Sequence, residues 1–400
     1  MIGPPIHLNM PELHPRTVFI FDYLVVDAML SSHALTTLLR NLDERRYRPV
    51  VILNRACELQ AALKTAEVAT YVLPHGGGHF ITKLWQYSSF VYKAVRLARL
   101  SQPVLFYADN ALAGRDAMLT KMFFNVPVAV MLRNIDMFPT GRRLLFKANR
   151  FFAHTRHTIE GSLPAFVADK SRAVSGCLDV SAFPKPSAAR RARARRSLGV
   201  PDDALIVGMM GRLTPQKGQR FFVQAANRVC ANRRGVVFIH AGKIPGHSSV
   251  KPTGPISEAY ELELLQLSLD LVRQIRFVWF DYIDDAGSFW AAADVAVLAS
   301  AGPEAFATVI LEAMACGLPV IATRSGGADA VVTPDVGILV PMADSDALAE
   351  AIEALLDDPA RRAALGANGR QRVEDQYSPA AFAEVIMTEF DAQVRAEGRV

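Results

Sequence analysis

Thirteen short apolar runs of β-forming residues, separated by stretches of helical character, constrain this 400-residue chain more than any other feature. In the first half they are TVFIFD, RPVVILN, ATYVLP, PVLFYAD, PVAVMLR, RFFAHT and SRAVSG. In the second they are ALIVGMMG, GVVFIHAG, IRFVWFD, ADVAVLAS, LPVIAT and GILVP. The runs are continuous rather than alternating, the pattern of strands covered by helices on both faces. Strand–helix alternation repeated twice predicts an α/β protein of two doubly wound parallel-sheet, Rossmann-like domains. The segment PKPSAARRARARRSLGVPDD has no β-type run and packs five arginines into Arg190–Arg196, so it reads as the linker. A boundary near residue 195 follows: residues 1–194 form the first domain, joined again by a helix over 378–400, and residues 195–377 form the second.

Composition excludes several classes. The hydrophobic fraction is 51% and the mean hydropathy +0.17, yet no apolar run reaches the roughly 20 residues a membrane-spanning helix needs. Residues 1–16 lack the order of a secretion signal. Cys57, Cys177, Cys230 and Cys316 are far apart and show no metal-ligand spacing, so they read as buried thiols in a reducing cytoplasm. The net charge of +5 conceals +14 on residues 1–200 and −9 on the remainder. A half that basic attracts polyanions: anionic lipid headgroups or a diphosphate-bearing substrate. Nucleic acid is disfavoured because no aromatics interleave with the arginine run.

Open parallel sheets bind ligands at the carboxyl ends of their strands. Two segments at such ends carry candidate chemistry. Gly211-Arg212-Leu213-Thr214-Pro215-Gln216-Lys217-Gly218 follows ALIVGMM and leads into a helix. Arg212 and Lys217 put two cations at one strand end, where a diphosphate between them relieves their repulsion. The spacing is not that of a P-loop, and a surface loop with two exposed cations is the plainer alternative. In SAGPEAFATVILEAMACGLPVIATRSGG, residues 300–327, a helix is expected to start near Ala305. Glu304 then lies at its entrance beside the N–H groups of Phe306, Ala307 and Thr308. Glu312, eight positions on, falls on nearly the same helix face. Its carboxylate in an apolar helix needs a partner, and a ribose diol suits it, as would an internal ion pair; helix capping is the alternative for Glu304.

These motifs resemble the retaining glycosyltransferases of family 4, which have the GT-B fold. The residues that carry the likeness are AADVAVLAS, Glu304 and Glu312 separated by seven residues, LEAMACGLPVIATRSGG, and GRLTPQKG about 90 residues upstream. The likeness spans about residues 203–377; the first half joins it through its architecture and GCLDVSAFPK. The resemblance implies that Arg212 and Lys217 bind a donor diphosphate and that Glu312 binds ribose. Glu304, with the amides of Phe306, Ala307 and Thr308, would hold the transferred sugar and its phosphate, with Gly211 lining the site. It implies hexosyl transfer from a nucleotide-diphosphate sugar to a glycan, glycolipid or lipid-linked acceptor, with no metal and no cofactor. EAFA stands here in place of the family's EGFG, and Arg133 in PVAVMLRNIDMF replaces its first-domain histidine. Arg133, Asn134 and Asp136 become the acceptor-side candidates. A catalytically inactive nucleotide-sugar-binding module and a nucleotide-sugar epimerase are the alternatives.

Residues 78–102 combine Trp85, Tyr87, Phe90 and Tyr92 with Lys83, Lys93, Arg96 and Arg99. Such a helix either covers the sheet with its aromatics inward or lies on an anionic membrane. The second option places the protein at the inner face of the plasma membrane.

Overall fold

The computed structural model describes residues 15–22, 35–55, 60, 63–64, 66–74, 80–132, 142–242, 255–281 and 283–398. All thirteen apolar runs form strands. β1 is Arg16–Asp22, β2 Tyr47–Leu53, β3 Ala69–Val72, β4 Leu105–Ala108, β5 Val128–Leu132, β6 Arg150–Ala153 and β7 Ser171–Ala173. The second set is β8 Leu205–Met210, β9 Val236–Ala241, β10 Phe277–Phe280, β11 Val295–Leu298, β12 Val320–Thr323 and β13 Gly337–Val340. The first sheet has the order β3-β2-β1-β4-β5-β6-β7 and the second β10-β9-β8-β11-β12-β13. Every neighbouring pair of the second sheet is parallel, as are β1 with β2 and β4, β2 with β3, and β4 with β5 in the first. Each sheet reverses its strand order once, at β1/β4 and at β8/β11, where doubly wound folds open a ligand crevice.

Burial explains why the runs lack alternation. All five residues of β5 and all six of β9 are buried, because helices cover both faces. The helix Gln219–Asn232 turns Phe222, Val223, Ala226, Val229 and Cys230 inward at helical spacing. Phe222, Phe238 and Phe277 pack with ring centroids 5.5–6.4 Å apart. Cys177, Cys230 and Cys316 are buried free thiols, and burial pushes the Cys316 thiol up to about 12; Cys57 lies outside the described residues.

The chain divides into two compact units. One comprises Met1–Phe152, Ala165–Arg172 and Ala383–Val400; the other Ala153–Pro164 and Ala173–Phe382. The arginine-rich segment is helical over Ala188–Ser197, capped by the Ser187 hydroxyl, and belongs to the second unit. Arg195 is buried there, and its guanidinium donates to the carbonyls of Ala292, Asp202 and Ala204 and to Asp294 at 2.8 Å. Arg191 also bonds Asp294. The last helix, Pro379–Ala396, sends its residues from Ala383 onward back to the first unit. No described helix is long and apolar enough to cross a membrane.

Candidate functional site

The switch point of the second sheet brings together the two segments singled out in the sequence. β8 ends at Met210 and β11 at Leu298 as hydrogen-bonded neighbours, so the residues that follow them emerge side by side. Gly218 adopts φ +73°, and a Cβ there would lie 1.9 Å from the carbonyl oxygen of Ala299. Only glycine lets the loop after β8 press on the end of β11. Ala301 N donates to Gln216 O at 2.8 Å and Gln216 Nε2 to Pro303 O at 2.7 Å, which ties the two loops together.

Lys217 and Glu304, 87 positions apart in sequence, form an ion pair at 2.6 Å. The same carboxylate oxygen accepts from Ser300 Oγ at 2.7 Å, and Glu304 is buried. Arg212 is exposed on the same loop; its carbonyl accepts from Gln219 Nε2 at 2.7 Å. Gln219 in turn lies 3.4 Å from His240 Nε2 and accepts from Tyr260. His240 is wholly buried against Trp279, and burial depresses its pKa to about 3, so a neutral ring backs this loop. An added Cβ at Gly211 would touch only Lys217 Cδ, at 4.0 Å. The fold itself leaves room there, as a close approach by a ligand requires.

One expectation is corrected. The helix after β11 begins at Thr308 rather than near Ala305, and runs to Ala315. Glu304 therefore does not share a helix face with Glu312. It sits in an extended segment that bridges Gly326, with Glu304 N donating to Ser325 O and Gly327 N to Glu304 O, each at 2.8 Å. The GG turn after β12 competes with helix extension by pairing with the backbone of Glu304, and the helix starts four residues later. Ala307 occupies the N-cap with no side-chain hydrogen bond. Among the described residues, neither the Phe306 nor the Ala307 amide has a hydrogen-bond acceptor. Together with the start of the helix at Thr308, they form a concentration of donors suited to an anion.

Glu312 lies on the helix, partly buried, with the Trp290 indole N–H at 3.4 Å. Burial raises its pKa above the ordinary carboxylate value. A carboxyl group perturbed by burial next to a strand-end site is a candidate for ligand contact. Arg133, Asn134 and Asp136 lie outside the described residues.

Sequence reasoning passed over two groups. Asp22 and Asp109, both buried, end β1 and β4 or directly follow them at the switch point of the first sheet. Asn110 donates to Asp22 at 3.0 Å and caps the next helix. The signal was an aspartate closing an apolar run, in FIFD and FYAD. The second group is Thr155 and Thr158, which had no signal of that kind. Among the described residues, no three His, Cys, Asp or Glu side chains cluster as metal ligands.

Residues 190–372 match the family described as glycosyl transferases group 1. The chain is 34% identical over 207 residues to a GDP-mannose-dependent monoacylated alpha-(1-6)-phosphatidylinositol monomannoside mannosyltransferase of Corynebacterium glutamicum; the match covers 50% of this chain and 51% of that one. It is 33% identical over 233 residues to a D-inositol 3-phosphate glycosyltransferase of Geodermatophilus obscurus, covering 57% and 49%. The chain thus spans about half the length of the curated relatives it matches. Among solved structures, Anabaena Alr3699/HepE in complex with UDP superposes with a TM-score of 0.78 at 21% identity, over 94% of this chain and 100% of that one. The two parallel-sheet domains are the GT-B architecture.

Proposed function

We propose that this chain, whose residues 190–372 belong to the glycosyl transferases group 1 family, transfers a hexosyl group from a nucleotide-diphosphate sugar with retention of configuration. The observation that carries this is the meeting of Lys217 and Glu304 at the β8/β11 switch point, beside Arg212 and the unpaired amides of Phe306 and Ala307. The donor's bond from anomeric carbon to phosphate oxygen breaks, and the acceptor hydroxyl oxygen bonds to that carbon on the same face. The acceptor proton passes to the departing phosphate oxygen. Arg212 and Lys217 neutralise the charge that grows on the diphosphate, and the amides of Phe306, Ala307 and Thr308 take its oxygens. These are fixed groups aimed where charge develops. Two side-chain cations supply what a metal would otherwise supply, so the reaction runs without one and needs no cofactor. Glu304 lies by the sugar and Glu312 by the ribose.

Two relatives act, by their names, on inositol-phosphate compounds. With a first half of net charge +14, this favours a phosphate-bearing acceptor, a lipid-linked one in particular. Location in the cytoplasm at the inner membrane face accords with it. The test is a panel of UDP-, GDP- and ADP-sugars, assayed for donor turnover with and without EDTA, with the anomeric configuration of the product read by NMR. Turnover of one donor with retained configuration in EDTA is expected. No turnover of any donor sinks the reading; inversion, or rescue of an EDTA-killed enzyme by magnesium, removes its mechanistic part.

A further inference from the structure

The segment Ala153–Pro164 belongs to the compact unit that holds the donor site, and two of its hydroxyls reach that site. Thr155 and Thr158 are 2% and 0% exposed. Their Oγ1 atoms are 2.9 Å apart, and each lies within reach of the carbonyl oxygen of Ala305, at 3.2 and 3.3 Å. Either hydroxyl can donate to Ala305 O while the other donates to its neighbour. The peptide bond is planar and trans, so its C=O and N–H point in opposite directions. Seating the oxygen of Ala305 on the two threonines therefore turns the amide of Phe306 away from them. A Cβ at Gly327 would sit 3.0 Å from both Ala305 C and Phe306 N, so the peptide also lies flat on that glycine. The Phe306 ring is held by His154 at 5.4 Å and Tyr377 at 6.3 Å between centroids. Oxygen edge, face and side chain are all occupied, and the N–H edge is left open.

We infer that Thr155 and Thr158 are positioning residues for the transferase reaction: they hold the Ala305–Phe306 peptide so that the Phe306 amide donates to the donor phosphate as it departs. The inference rests on the nucleotide-sugar reading above. Hydroxyl redundancy gives it a signature. Thr158→Val alone leaves Thr155 to donate, whereas Thr155→Val/Thr158→Val leaves no donor at all. Loss of one aligned amide from the transition state corresponds to a fall in kcat of about 10- to 1000-fold, with the donor KM little changed.

The experiment measures kcat and donor KM for wild type, Thr158→Val, the double valine variant and Thr155→Ser/Thr158→Ser. The expected result is a kcat near wild type for Thr158→Val and for the double serine variant, and a fall confined to kcat in the double valine variant. A double valine variant with wild-type kcat overturns the proposal, as does a double serine variant that falls equally far, since packing alone would then be responsible. Two measurements do not depend on turnover. In a crystal structure of the double valine variant the Ala305–Phe306 peptide should be rotated; an unmoved peptide overturns the inference. In the wild-type protein titrated with pyrophosphate, the Phe306 amide proton should move downfield, and a stationary resonance overturns it even if the double variant does not fold. A wild type that turns over no donor yet shows both signs would refute the transferase reading and leave the positioning role standing.

Discussion

Lys217 pairs with Glu304 at 2.6 Å, whereas Arg212 is exposed on the same loop, so the two cations do not have equal duties. Lys217→Ala strands a buried carboxylate that, among the described residues, keeps only the Ser300 hydroxyl as a side-chain donor, and costs stability as well as rate. Arg212→Ala, at an exposed position, should cost rate. Loss of a charge-assisted phosphate contact is worth roughly 2–4 kcal/mol, or about 30- to 1000-fold in turnover. Donor turnover and melting temperature of both variants check this; more than half the wild-type activity in both would contradict it. Glu312 makes a different prediction. Its pKa is raised by burial, so its ionisation opposes folding. That penalty is absent below the unfolded carboxylate pKa, near 4.5, and grows as pH rises above it. Glu312→Gln should therefore stabilise the ligand-free protein at pH 7, have little effect near pH 4, and weaken nucleotide-diphosphate binding. Denaturation at the two pH values and calorimetric titration test both halves. A variant that is less stable at pH 7 with unchanged affinity would mean that the carboxylate serves the fold.

Among the elements, β9 carries His240 as its penultimate residue, buried behind the Arg212 loop with its pKa pushed down to about 3. The unfolded chain takes up a proton near pH 6.5 and the folded chain does not, so stability is complete above pH 6.5 and falls as pH drops toward 3. The full span corresponds to about 5 kcal/mol as an upper bound. His240→Gln loses packing at pH 7, but its deficit relative to wild type should shrink between pH 6.5 and 4; a constant deficit would show that His240 does not govern the acid limb. The helix Phe80–Ser101 is the second element of interest. Phe90 is buried, but Trp85 is 72% and Tyr92 66% exposed, on the side that carries Lys93, Arg96 and Arg99. The sequence leaves two readings open, a sheet-covering helix with its aromatics inward or a helix lying on an anionic membrane, and here the aromatics divide between the two sides. The exposed cationic and aromatic face suits an anionic headgroup layer, at about 1 kcal/mol per basic residue. Wild type should co-sediment with phosphatidylserine-containing vesicles at low salt and release at high salt. Lys93→Glu/Arg96→Glu/Arg99→Glu should stay in solution; equal sedimentation of both proteins would dismiss the surface.

At the scale of the whole molecule, the last helix stitches the first unit. Glu389 is buried between Arg150 at 3.2 Å and Arg172 at 2.7 Å. Asp391 accepts from Arg16, Arg46 and Tyr47, and Phe390 packs edge-on against Tyr47 and Tyr107. Removing Glu389 leaves two guanidiniums that are 25% and 55% exposed, so the cost falls below the roughly 3–5 kcal/mol of a fully buried pair. Glu389→Ala should lower the unfolding midpoint of the first unit and abolish transfer, yet leave nucleotide-diphosphate affinity intact, because Arg212, Lys217, Glu304 and Glu312 all lie in the second unit. Denaturation followed in each unit, with calorimetric titration, checks it. Loss of nucleotide binding at a denaturant concentration where the second unit is folded would refute the division of labour.

Apolar patterning alone determined the thirteen strands, since a strand buried on both faces has no use for polar alternation. Spacing and residue type likewise marked Arg212, Lys217, Glu304 and Glu312. Three matters waited for the tertiary structure. Asp294 of the ADV strand and Arg195 of the arginine-rich segment, 99 positions apart, looked like parts of separate features. Together they anchor a helix to the second core. Glu304 left the helix because the backbone of Ser325–Gly327 paired with it, a partner that no local propensity contains. Thr155 and Thr158 carried no signal at all, since a hydroxyl's role is set by the acceptor it meets, and Ala305 meets them only after the chain has folded over about 150 residues. Local sequence dictates which segments bury themselves; which distant polar atoms then find each other is decided by topology.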